Sequence, residues 1–137
     1  MNYHEMLKLQ SPFSPRVEEM ARQIVDSAFQ VHKTLGPGLL ESVYEGCLAY
    51  ELIEHGLSVK CQEPLPVFYK ELEFDNGFRM DILVEDTIVI ELKAVEAILP
   101  VHQAQLMTYL KLSGKYLGFL INFNVPLIKD GIKRIVL

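Results

Sequence analysis

The sequence predicts an α/β fold, a mixed central sheet flanked by helices. Three observations predict it. Two stretches of helical period fill most of residues 15–55. Val/Ile-rich runs at Ile82–Val84 and Ile88–Ile90 have the composition of strands buried on both faces. This strand-rich middle is followed by a further helical stretch, near residues 101–112, and another apolar strand.

The elements follow in chain order. Residues 1–13 show no period and are read as a loose N-terminal arm. Ser14-Pro15 starts a helix, with Ser as N-cap, Pro in the first turn, and Glu18 and Glu19 near the positive dipole end. Val17, Met20, Ala21, Ile24, Ala28, Val31 and Leu35 form its apolar stripe. It should run to about Lys33 or Thr34, where Gly36-Pro37-Gly38 breaks it. A second helix is expected from Leu39 to His55, with Leu40, Val43, Cys47, Leu48 and Leu52 inward and Gly56 as C-terminal cap. Residues 57–63 and 65–74 read as two strands, with Pro64 and Pro66 marking an edge or kink. Asp75-Asn76-Gly77 is a turn into the central hairpin. The helix near 101–112 has Leu106 and Leu110 inward and Gln105 and Tyr109 one turn apart on one face. Ser113-Gly114 ends it. Tyr116–Phe123 is a strand, Asn124–Gly131 a loop and Ile132–Leu137 a last short strand.

The 137 residues suffice for one domain with its own core, and no repeat or internal boundary divides them. A hydrophobic content of 50% excludes disorder as the native state. No apolar run approaches the roughly 18–20 residues of a membrane helix. The first residues lack the apolar stretch of a signal peptide, so a cytoplasmic protein without membrane association is expected. Cys47 and Cys61 lack metal spacing and are expected to be buried thiols. His4, His32, His55 and His102 make no zinc-type pair. The net charge of −5 argues against tight non-specific binding of nucleic acid, although bases outnumber acids in the C-terminal third.

Three charges interrupt the apolar hairpin: Asp81, Glu91 and Lys93. Isolated charges in buried strands are normally paired or hold a metal. Alternate strand residues share a face, so Glu91 and Lys93 point the same way. A two-residue loop at Glu85-Asp86 would put Asp81 on the other face. A three-residue loop, Glu85-Asp86-Thr87, pairs Ile82 with Ile90 and Val84 with Ile88, and sets Asp81 opposite Glu91. The second register makes one face wholly β-branched, and it is the one expected. On a solvated edge strand, Glu91 and Lys93 would instead be an inert surface pair.

The spacing Asp81–x9–Glu91–x–Lys93 resembles the active site of the PD-(D/E)XK nuclease superfamily, with Met80 where the signature has proline. Gly38-Leu39-Leu40-Glu41-Ser42-Val43-Tyr44 reads G-x-x-E-x-x-Y. With Gly118-Phe119-Leu120-Ile121-Asn122-Phe123 and Gly131-Ile132-Lys133-Arg134, it makes the chain from Arg16 onward similar to the GxxExxY family of that superfamily. The resemblance implies a restriction-endonuclease-like core and a Mg²⁺-dependent nuclease, with Mn²⁺ as substitute. It implies Asp81, Glu91 and Glu41 as metal ligands and Lys93 as the group that orients the attacking water. Gln105-Leu106-Met107-Thr108-Tyr109 matches a Q-x-x-x-Y motif, which implies substrate contacts from Gln105 and Tyr109. Without the resemblance, Glu41 is an acid at a helix N-terminus, Gln105 and Tyr109 are ordinary helix residues, and Tyr44 is a packing residue. The implied partner is DNA or RNA. The alternative is a non-catalytic module that keeps the fold and binds nucleic acid or a protein, alone or as a homodimer.

Overall fold

The computed structural model describes residues 11–137. Its elements are α1 (Pro15–Leu35), α2 (Glu41–Glu54), β1 (Val59–Pro64), β2 (Val67–Tyr69), β3 (Leu72–Phe74), β4 (Arg79–Val84), β5 (Ile88–Lys93), α3 (Pro100–Ser113), β6 (Leu117–Asn122), a 3₁₀ turn (Ile128–Gly131) and β7 (Ile132–Val136). Five strands form one mixed sheet in the order β1-β4-β5-β6-β7. The pair β5–β6 is parallel and the other neighbours are antiparallel. The expected α/β class is therefore the observed one.

Local chemistry sets the helix ends. The Ser14 hydroxyl accepts the Val17 N–H at 3.2 Å, and Pro15 takes the first turn of α1. Gly36 closes α1 at φ 68° and Gly114 closes α3 in the left-handed region. The Leu99 N–H donates to His102 Nδ1 at 3.0 Å, which gives His102 a capping role at α3.

Alternation along β4 and β5 splits the core in two. Ile82, Val84, Ile88 and Ile90 pack with Ile24, Ala28, Leu48 and Leu52 beneath α1 and α2. Leu83, Val89 and Leu120 pack with Leu106 and Leu110 of α3 on the other face. Gly118 permits the close seating of α3, since a Cβ there would lie 3.1 Å from Leu106.

Several expectations are corrected. Residues 65–74 are not one strand but the hairpin β2–β3, a separate two-stranded sheet that turns at Lys70 with φ 53°. Leu40, which caps α2 rather than lying in it, and Val43 are 74% and 41% exposed, because the buried stripe is turned toward Tyr44. Tyr44 stacks on Phe123 at 4.5 Å, donates to the Gly36 carbonyl and accepts from the Leu39 N–H. A large ring whose hydroxyl is satisfied wins the buried position over smaller aliphatics. Cys61 is exposed, because β1 is an edge strand, and Cys47, on α2, is half-buried. Residues 1–10 of the expected arm lie outside the described residues. Its last residues are held, with Ser11 donating to Glu18 and Phe13 packed against the core. Among the described residues no helix is long and apolar enough to cross a membrane.

Candidate active site

The hairpin β4–β5 has the three-residue loop and the register read from the sequence: Ile82 faces Ile90 and Val84 faces Ile88. The next pair along the hairpin is Asp81 and Glu91, and there the backbone ladder stops. Side chains replace it. The Asp81 N–H donates to Glu91 Oε1 at 3.2 Å, and the Leu92 N–H donates to Asp81 Oδ2 at 2.8 Å. The two carboxylates are thus held at a fork between two strands. Lys93 follows on the Glu91 face and is half-buried.

The electrostatics of the pair are strong. Glu91 is only 6% exposed. Burial, and then the charge of Asp81, push its carboxyl up to about 8, against the opposing pull of the Asp81 N–H and Lys93. α3 covers this face. Tyr109 is held above its ordinary value by burial and by the negative charges of Glu91 and Asp81. Gln105 Nε2 donates to the Tyr109 hydroxyl at 3.2 Å. The structure therefore gathers Asp81, Glu91, Lys93 and Tyr109, with Gln105 attached through Tyr109.

The fourth wall is α2. Glu41 lies exposed in its first turn, close enough for its charge to act on Glu45. The Glu45 carboxyl is raised by burial, opposed by its bond to Gln62, and raised further by the charges of Asp81 and Glu41. Gln62 Nε2 donates to Glu45 and, at 3.2 Å, to Asp81 Oδ1. Tyr44, the last residue of the G-x-x-E-x-x-Y string, fixes the approach to α2 by pinning Gly36 and Leu39. Gly38 itself serves the turn at φ 99°; a Cβ there would touch nothing, so close approach to the sheet is not its role.

This is an acidic pair at a strand fork, backed by a lysine and covered by a Gln–Tyr helix. A family profile described as the PD-(D/E)XK nuclease superfamily matches residues 18–135. The chain belongs to the PD-(D/E)XK nuclease superfamily. No curated protein and no solved structure matches it.

Proteins of this superfamily typically work with a divalent metal. Among the described residues no three His, Cys, Asp or Glu side chains are gathered as a metal cage. Asp81 and Glu91 meet, and Glu41 lies exposed at the start of α2. The pair nevertheless fits the ion. Mg²⁺ takes oxygen donors, and one or two carboxylates suffice when water and phosphate oxygens complete the shell. Burial and the Asp81 charge push the Glu91 carboxyl up, a cost that a cation at the pair would relieve.

Three residues around this candidate site escaped the sequence reading. Glu45 is four residues after Glu41 and so shares its helix face, a signal that was available. Gln62 carries no signal, being a polar residue in an edge strand. Asn122 is 2% exposed and lies opposite Lys93. Its side chain accepts from the Val95 and Asn124 N–H groups and donates to the Val95 carbonyl. It thereby fixes the chain as it leaves Lys93.

Proposed function

We propose that this protein is a metal-dependent nuclease of the GxxExxY type that hydrolyses phosphodiester bonds of DNA or RNA in the cytoplasm. The observation that carries the reading is the Asp81–Glu91 pair at the strand fork, with Lys93 on the Glu91 face. Membership of the superfamily supports it.

Asp81 and Glu91 are assigned as ligands of Mg²⁺, or of Mn²⁺ in its place. Glu41 is the third carboxylate, contributed by α2. When bound, the ion supplies charge neutralisation at the phosphate and a nucleophile near neutral pH. Lys93 sets an ammonium beside the pair, where it orients the attacking water and offsets charge on the phosphate. Gln105 and Tyr109 offer an amide and a hydroxyl to the substrate from the covering helix.

The test is a calorimetric titration with Mn²⁺, paired with cleavage assays on single- and double-stranded DNA and RNA. Wild-type protein should bind the ion and cleave with it alone as cofactor, and Asp81→Asn should lose both. Metal binding without cleavage of any substrate would favour a nuclease-fold module that binds nucleic acid or a protein, a reading supported by the net charge of −5. No binding at millimolar Mn²⁺ would overturn the metal site.

A further inference from the structure

Gln62 has a backbone that strands avoid. It lies inside β1 with φ 53°, a region in which side-chain-bearing residues are strained. No residue is inserted there. Cys61 pairs with Ile82 and Glu63 with Met80, so the register is the same on both sides of the kink. Between those pairs Gln62 stands level with Asp81, and the ladder is interrupted at that one position. The interruption is thus not a bulge that corrects register. Its visible product is the direction of the Gln62 side chain.

That side chain spans two elements. One amide nitrogen donates to Glu45 of α2 and to Asp81 Oδ1 of β4. The other Asp81 oxygen is already held by the Leu92 N–H. Both Asp81 oxygens are therefore fixed, each with acceptor capacity left over. The chemistry of the donor suits the place. A primary amide carries two N–H groups for two carboxylates and no net charge, so it holds them without repelling a cation. Lysine or arginine would hold them and compete with the ion.

We propose that Gln62 is a positioning residue, which spends backbone strain in β1 to fix Asp81 and to tie α2 to it in the geometry that a divalent cation requires. The inference rests on the metal-site reading above.

Two substitutions test it, with Mn²⁺ affinity by calorimetry and metal-free thermal unfolding as readouts. Gln62→Gly accepts a positive φ without strain and removes the amide. Its metal-free Tm should equal or exceed the wild-type value, while its Kd for Mn²⁺ weakens about 10-fold or more, the range for groups that orient ligands. Gln62→Asn tolerates the same φ and keeps an amide on a shorter stem, and should fall between the two in affinity. Wild-type affinity in Gln62→Gly would overturn the proposal, as would a fall in Tm that accompanies the loss of affinity. Asn binding worse than Gly would also overturn it. A wild-type protein that binds no Mn²⁺ would instead defeat the metal site itself, and this role with it.

Discussion

Asp81 and Glu91 stand opposite each other where β4 and β5 part, and each accepts a backbone N–H from the other's strand. The Asp81 N–H reaches Glu91, and the Leu92 N–H reaches Asp81. The sheet's own hydrogen bonding has been diverted to hold two acids side by side. This arrangement costs charge repulsion that only a proton or a cation relieves.

The pH dependence follows. Without metal, the folded-state value of Glu91 is about 8, raised from an ordinary 4.5 by burial and then by Asp81. A raised value means that the folded state holds the proton more tightly than the unfolded one. The resulting stabilisation is fully present below about pH 4.5 and is lost as pH rises through about 8. Metal-free urea unfolding from pH 5 to 9 should therefore show stability falling with pH on account of this group. Glu91→Gln should flatten that slope. Mn²⁺ affinity should run the other way, rising up to about pH 8 as the ion displaces the Glu91 proton. A Mn²⁺ affinity independent of pH across this range would refute the assignment.

The hairpin register was legible because its apolar residues leave little choice: only a three-residue loop brings Ile82 to Ile90 and Val84 to Ile88. The three main helices were legible through their caps and breakers at Ser14, Gly36, Gly56 and Gly114. Two kinds of feature were not. The rotation of α2 depends on the Tyr44 hydroxyl finding Gly36 and Leu39, a tertiary fact with no local pattern. The kinks at Gln62 and Lys70 place non-glycine residues at positive φ, where no residue type announces them. The link between Glu45 and Asp81 stayed hidden for a further reason. It runs through Gln62, and one polar residue in an edge strand gives no periodic signal.

Lys93 should separate binding from chemistry. It lies on the Glu91 face and opposes the upward shift of that carboxyl, yet ammonium groups do not ligate cations. Lys93→Ala should keep Mn²⁺ binding within a few-fold while lowering the cleavage rate about 10²-fold or more, the range for acid–base groups. Single-turnover cleavage at saturating metal measures it. Equal losses of metal affinity and rate would show that Lys93 acts only by shaping the pair.

Asn122 is the structural prop behind Lys93. Its amide satisfies the Val95 and Asn124 N–H groups and the Val95 carbonyl, and Asn122 itself is almost fully buried. Asn122→Leu has similar size but strands those groups, and each buried orphan costs about 1–3 kcal/mol. The three stranded groups are only partly buried, so water satisfies them in part and a loss of about 2–4 kcal/mol in chemical denaturation is expected. Gly131 guards the same spot: a Cβ there would lie 2.1 Å from the Asn122 carbonyl oxygen. Gly131→Ala should therefore destabilise as well. A neutral Asn122→Leu would mean that the chain after β5 can rearrange at no cost.

The last prediction concerns the Gln–Tyr face of α3. Tyr109 is buried to 9% exposure, and its hydroxyl accepts from the exposed Gln105. Its ring packs with Leu83, Val89 and Leu120, so the phenyl group, not the hydroxyl, carries the packing. Its ionisation is suppressed by burial and by the adjacent carboxylates, so it remains a neutral donor at physiological pH. A neutral hydroxyl beside two acids is suited to hydrogen-bond a substrate oxygen, not to hold a cation. Tyr109→Phe keeps the ring and loses one partly exposed hydrogen bond, which should cost no more than about 1 kcal/mol of stability. Mn²⁺ affinity should stay within about two-fold of wild type. Cleavage should fall through a raised KM, by about 5–13-fold if one substrate hydrogen bond of about 1–1.5 kcal/mol is lost. Gln105→Ala should act in the same direction, and the double variant should do little more than Tyr109→Phe alone, because the two side chains form one unit. Steady-state kinetics on the substrate found by the cleavage screen, with metal titrations alongside, would decide it. Unchanged KM in Tyr109→Phe would return both residues to ordinary helix packing.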